Sequence, residues 1–143
     1  MGDILYIVVP CYNEEEVLPE TARRLKEKME ALIAAGRISE ESRVLVVNDC
    51  ATIEELHKGD RRFSGVNLTR NRGHQNALLA GLMTAKDRAD MVVSMDADLQ
   101  DDIGAVDAMV EQYDAGCDIV YGVRSSREKD TFFKRFTAEG FYR

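Results

Sequence analysis

Short apolar runs alternate along this chain with longer stretches whose apolar residues recur at helical spacing. Ile4-Leu5-Tyr6-Ile7-Val8-Val9 has no polar alternation and reads as a strand buried on both faces, ended by Pro10. A helix is predicted from Glu14 to Ala35, with Leu18, Ala22, Leu25, Met29 and Leu32 on one face and Gly36 as its stop. Val44 to Val47 reads as the second strand, Ile53 to His57 as a short helix and Gly65 to Leu68 as the third strand. Asn76 to Lys86 reads as a helix with Leu78, Leu79, Leu82 and Met83 inward. A buried fourth strand follows from Met91 to Met95. Next comes a helix from Ile103 to Tyr113, with Ile103, Val106, Val110 and Tyr113 inward and Gly116 ending it. A fifth strand is expected from Ile119 to Val123, and a basic helix after it. Strands alternating with helices predict an α/β fold around a mostly parallel sheet flanked by helices.

Composition narrows the class. With 143 residues, 45% hydrophobic and 31% charged, the chain can build one globular core, and no apolar run approaches a membrane span. No secretory leader is expected from Met1-Gly2-Asp3 and the short apolar run behind it. Cys11, Cys50 and Cys117 are widely spaced and odd in number, so they are expected as small buried or half-buried thiols in a reducing compartment. The net charge of −7 is uneven: residues 124–143 carry six basic and three acidic side chains, which leaves −10 on the first 123. Such an acidic body argues against nucleic acid as a partner. The basic, aromatic end suits an anionic partner, a phosphate or a membrane surface, as well as an ordinary solvated helix.

Polar residues gather at the carboxyl ends of the predicted strands. Pro10 to Glu14 follow the first, Asn48 and Asp49 the second, and Thr69 to His74 the third. Asp96, Asp98 and Gln100 follow the fourth, and Arg124 and Arg127 the fifth. In open α/β sheets ligands bind at that edge, where strand order reverses. Side chains at i and i+2 of a strand point the same way, so Asp96 and Asp98 can converge on one cation if the chain stays extended to Asp98. A hard cation takes a few carboxylate oxygens and completes its shell with water and phosphate. An acidic loop before a helix is the plain alternative. There is no glycine-rich phosphate loop of the Walker or dinucleotide type, so a phosphate would need that cation or the forks of Arg70, Arg72, Arg124 or Arg127. His57 is expected to face solvent. His74, after a glycine at a strand end, suits capping, packing or catalysis.

Val8-Val9-Pro10-Cys11-Tyr12-Asn13-Glu14, Val46-Val47-Asn48-Asp49, Asn71-Arg72-Gly73-His74-Gln75-Asn76 and Met95-Asp96-Ala97-Asp98-Leu99-Gln100 together resemble family 2 glycosyltransferases. The resemblance extends over the chain and is strongest to polyprenyl-phosphate sugar transferases of the dolichol-phosphate mannosyltransferase type. It implies a GT-A fold and inverting, Mg²⁺- or Mn²⁺-dependent transfer from a nucleotide-diphospho-sugar, with UDP-glucose as the guess, to a polyprenyl-phosphate acceptor. By position, Pro10, Tyr12, Glu14 and Asp49 would line the nucleoside pocket and Arg72 would help close it. Asp96 would lie against the ribose or diphosphate, Asp98 would ligate the metal, and Gln100 would lie near sugar or acceptor. Arg124 and Arg127 would grip phosphate. Residues 1–123 would then form the nucleotide-sugar-binding domain and 124–143 the start of an acceptor segment. Phe132-Phe133-Lys134-Arg135-Phe136 would lie on the cytoplasmic face of the cell membrane, leading towards transmembrane helices in a full-length protein. A homo-oligomer is an open expectation.

Two departures qualify that transfer of roles. Where the family reads V-V-D-D-G-S-x-D-x-T, this chain reads Val46-Val47-Asn48-Asp49-Cys50-Ala51-Thr52, losing one charge, the glycine turn and several residues. Either the loop is truly shortened or residues are missing from the sequence in hand. The family pattern resumes midway through a helix at Ile53, which favours the second. The chain also stops at Arg143, short of the family's acceptor region, so this piece alone is expected to be impaired in transfer. A lipid-phosphate acceptor arrives ionised and needs no strong base; a saccharide hydroxyl, the alternative acceptor, would need one such as Asp101 or Asp102. Those two acids equally suit the positive end of the helix after them. A nucleotide-binding module without turnover is the third reading. A phospho-receiver domain is disfavoured because Pro10 and Cys11 stand where its acidic pair belongs.

Overall fold

The computed structural model describes residues 2–11, 16–47, 55, 57–66, 74–97 and 103–121. They form two compact units, Met1–Gly104 and Ala105–Arg143. In the first, β1 (Leu5–Pro10), β2 (Arg43–Val47), β3 (Phe63–Val66) and β4 (Met91–Ser94) make one parallel sheet in the order β3-β2-β1-β4. β1 is interior, with Pro10 opposite Val47 on one side and Val8 opposite Ser94 on the other. Its start is pinned twice: Ser42 Oγ accepts from the Leu5 amide at 2.9 Å and Asp90 Oδ2 from the Ile4 amide at 2.8 Å.

Helix α1 (Leu18–Ala34) joins β1 to β2, and α2 (His74–Ala85) joins β3 to β4. The two crossovers run in opposite directions across the sheet, so the right-handed rule puts the helices on opposite faces. α1 buries Leu18, Ala22, Leu25, Met29 and Leu32, the stripe expected from spacing, together with Thr21. It starts at Leu18 rather than Glu14. Pro19 is tolerated only in a first turn, where its missing N–H and its ring cost nothing. Gly36, at φ +71°, ends the helix in the left-handed conformation that a side chain disfavours.

On the other face α2 packs on Tyr6, Val8, Leu45, Val47, Val66 and Val92. The face it turns inward is Ala77, Gly81 and Ala85, with Leu78 and Leu82 at its margins. Leu79 and Met83, expected inside, are 56% and 51% exposed. Small residues win the contact because they let helix and sheet approach closely. A Cβ at Gly81 would overlap Val8 Cγ1 and lie 3.0 Å from Val47 Cγ2.

Three further expectations are corrected. β4, paired with β1 alone among the described residues, is half-buried rather than fully buried, and Ser94 is exposed. β3 starts two residues earlier than expected, at Phe63, and the expected strand residues 67 and 68 lie outside the described residues. Residues 119–121 belong to no strand, with Ile119 71% and Tyr121 52% exposed; an apolar run becomes a strand only where a neighbour takes its backbone hydrogen bonds. In the second unit α3 (Ala105–Asp114) buries Val106 and Val110, and Gly116, at φ +103°, follows it. Residues 55 and 57–59 are helical where the short helix was expected.

Candidate active site

The strand order fixes where a ligand edge can form. From β1 the chain moves outward to β2 and β3, then returns to the opposite side of β1 to form β4. The strand order therefore reverses between β1 and β4, and in open α/β sheets the carboxyl ends at such a reversal are where ligands bind. Two residues beyond the Val8–Ser94 pair stand Pro10 on one strand and Asp96 on the other. Sequence reasoning singles out both, and the fold brings them to this one switch point.

The backbone around them is held at several places. The Cys11 amide donates to the Val47 carbonyl at 3.0 Å, extending the β1–β2 ladder one residue beyond Pro10. The Met95 amide donates to the Val8 carbonyl, also at 3.0 Å. Ala97, fully buried, offers its carbonyl to the Thr21 hydroxyl at 2.7 Å. Asp96 is thus an exposed acid between two buried neighbours, Met95 and Ala97. Strand geometry stops at Ser94 and Ala97 lies in a turn. The strand alternation on which the pairing of Asp96 with Asp98 rests therefore ends before Asp96.

Tyr12, Glu14, Asp49, Arg72, Asp98, Gln100, Arg124 and Arg127 lie outside the described residues, as do Asn48 to Thr52, Asp101 and Asp102. Among the described residues no three metal-ligating side chains gather. The donors that the D-x-D segment offers are carboxylate oxygens on an acidic body, the chemistry a hard divalent cation accepts. Cys11 is buried beside Pro10 as expected of a packing thiol, and its Sγ donates to the Val9 carbonyl at 3.7 Å. Cys117, expected at least half-buried, is exposed. His57 is exposed as expected, and its imidazole N–H donates to the Phe63 carbonyl at 2.7 Å, a structural bond away from the β1–β4 edge. His74 is the first residue of α2.

Sequence reasoning misses Thr21, although a signal is present. It sits three residues after Leu18 and four before Leu25, a hydroxyl on the apolar stripe that needs a buried partner.

A four-stranded parallel sheet flanked by helices, with its strand order reversing between β1 and β4, is an α/β architecture of the GT-A kind. The sequence comparisons narrow this further. The model of glycosyl transferase family 2 matches residues 6–142, and the chain belongs to that family. It is 51% identical to the uncharacterized glycosyltransferase YkoT of Bacillus subtilis (strain 168), over 98% of this chain and 43% of that protein. It is 35% identical to the prophage bactoprenol glucosyl transferase homolog of Escherichia coli (strain K12), and equally to the bactoprenol glucosyl transferase of Shigella phage SfV. Both alignments cover 96% of this chain and 44% of the relative. The chain thus spans less than half the length of these relatives. Among the described residues no helix is long and apolar enough to cross a membrane.

Proposed function

We propose that this chain is the donor-binding part of an inverting glycosyltransferase that moves a sugar, glucose by preference, from a uridine diphosphate carrier to a polyprenyl phosphate at the cytoplasmic face of a membrane. The observation that carries the reading is the placement of Pro10 and Asp96 at the carboxyl ends of the adjacent strands β1 and β4, where strand order reverses. Family membership and the bactoprenol-directed names of two relatives support the acceptor class. In this reading residues 1–123 bind the donor and 124–143 begin the acceptor side.

Pro10, Tyr12, Glu14 and Asp49 hold the nucleoside, Arg72 closes over it, and Asp96 meets the ribose or diphosphate. Asp98 would hold Mg²⁺ or Mn²⁺, which supplies charge neutralisation at the diphosphate when bound. Gln100 orients the sugar or acceptor, and Arg124 and Arg127 fork onto phosphate. An acceptor phosphate oxygen forms a bond to the anomeric carbon while the bond from that carbon to the diphosphate oxygen breaks. The electron pair leaves with the nucleoside diphosphate. The acceptor oxygen is already ionised, so no side chain needs to remove a proton.

The test is calorimetric titration of the chain with uridine and guanosine diphosphates, with and without Mn²⁺, in wild type and Asp98→Asn. Mn²⁺-dependent binding of uridine diphosphate is expected, with the metal-dependent gain abolished in the variant. Preference for guanosine diphosphate would overturn the donor. Unchanged metal dependence in Asp98→Asn would overturn the ligand assignment.

A further inference from the structure

Thr21 lies on α1, one turn into the helix, yet its hydroxyl reaches a residue 76 positions away in sequence. The acceptor is the carbonyl of Ala97, at 2.7 Å and buried. One other acceptor is near, the Val17 carbonyl at 3.2 Å, but that oxygen already takes the Thr21 amide at 3.1 Å as the first bond of the helix. A hydroxyl has one proton to give, and the shorter of the two bonds is the one to Ala97.

We infer that Thr21 is a positioning residue for Asp96: its bond to the Ala97 carbonyl fixes the backbone that presents this acid at the end of β4. Ala97 shows why a clamp is needed. Its methyl is buried and its carbonyl faces inward, while the acid before it faces out, so the segment cannot rotate about its own axis without breaking the Thr21 bond. The clamp also couples two elements. α1 follows β1 in the chain and Ala97 follows β4, so one side chain links the elements beyond these two neighbouring strands. Outer partners of this kind are recognised by what they orient rather than by what they touch. The role assigned to Thr21 rests on the proposed donor site, while the clamp itself does not.

Three variants separate positioning from mere packing. Thr21→Val keeps the shape and removes the hydroxyl, Thr21→Ala removes both, and Thr21→Ser keeps the hydroxyl and loses a methyl. Two readouts are taken on each with the 143-residue chain: Mn²⁺-dependent uridine diphosphate affinity by calorimetry, and hydrogen exchange of peptides covering residues 95–98 against those covering β1 and β2. Val and Ala are expected to weaken the metal-dependent affinity by about 10- to 100-fold, the usual effect of losing a partner that orients a metal site. They should also speed exchange at 95–98 while leaving β1 and β2 protected. Ser is expected to restore both. Wild-type affinity and exchange in Thr21→Val would overturn the inference, as would equal loss in Ser and Val, since that marks packing alone. Where wild type itself binds no nucleotide, the donor-site reading fails. Exchange then judges the clamp: local acceleration in Val rescued by Ser keeps it, and no change removes it.

Discussion

Gly81 lies close against the sheet, and Gly81→Ala measures how much that closeness matters. In an exposed helix interior this substitution stabilises, by about 1 kcal/mol from helix propensity. Here the added methyl would overlap Val8 Cγ1 and press on Val47 Cγ2 from 3.0 Å, where ordinary contact begins near 3.4 Å. Neither valine can yield cheaply. Both are fully buried, both are β-branched with a stiff first torsion, and each sits in a strand paired on both sides. Overpacking of this kind costs about 1–3 kcal/mol, so the propensity gain is at least cancelled and a net loss of up to about 2 kcal/mol is expected. Urea unfolding followed by circular dichroism gives the midpoint, with an unchanged slope as the sign that stability alone has moved. A double-mutant cycle with Val8→Ala isolates the contact, because that variant makes room for the new methyl. The coupling should favour the pair by about 0.5–3 kcal/mol, the range for residues in contact. Gly81→Ala that raises the midpoint, or a cycle that closes to zero, would refute the argument that small residues were selected for close approach.

Two other perturbations follow from the hydrogen bonds. Ser42→Ala strips the Leu5 amide of its buried acceptor at the start of the interior strand, and should cost about 1–3 kcal/mol in the same unfolding assay. Hydrogen bonds from Arg23, with Arg24 assisting, hold the Glu20 carboxyl down from its ordinary 4.5 to about 2. A lowered folded-state value means the contribution is present above pH 4.5 and is lost as pH falls towards 2. The difference in thermal midpoint between wild type and Glu20→Gln should therefore shrink across that window. It should be small throughout and shrink further in about 1 M salt, because the pair is exposed.

The legible parts of the fold are those where one physical term dominates. The α1 stripe from Leu18 to Leu32 can be read directly, because a long helix on a sheet buries its large apolar residues. α2 misleads because closeness, not hydrophobicity, chooses its inner face: Leu79 and Met83 look buried by type, yet Ala77, Gly81 and Ala85 take the contact. The run at Ile119 fails because strand identity depends on a partner, which local sequence does not encode. The placement of Pro10 and Asp96 at neighbouring strand ends is legible, because the apolar runs mark where β1 and β4 stop. Thr21 is not, since a threonine in a helix states nothing about a carbonyl 76 residues away.

The pairing of β1 with β4 has a consequence for how the protein comes into being. Residues 5–8 must wait for residues 91–94, a separation of 86 positions, before the interior strand has its second neighbour. On a ribosome adding about 5–20 residues each second, that interval lasts several seconds, during which one edge of the chain's most apolar segment stands open. The β1–β4 edge is thus made late, when nearly the whole first unit has emerged. Such long-range closure slows folding and exposes the β1 edge to other chains. Expression conditions that shorten that wait, or a chaperone that covers the edge, should govern the yield of this protein more than any contact at its surface.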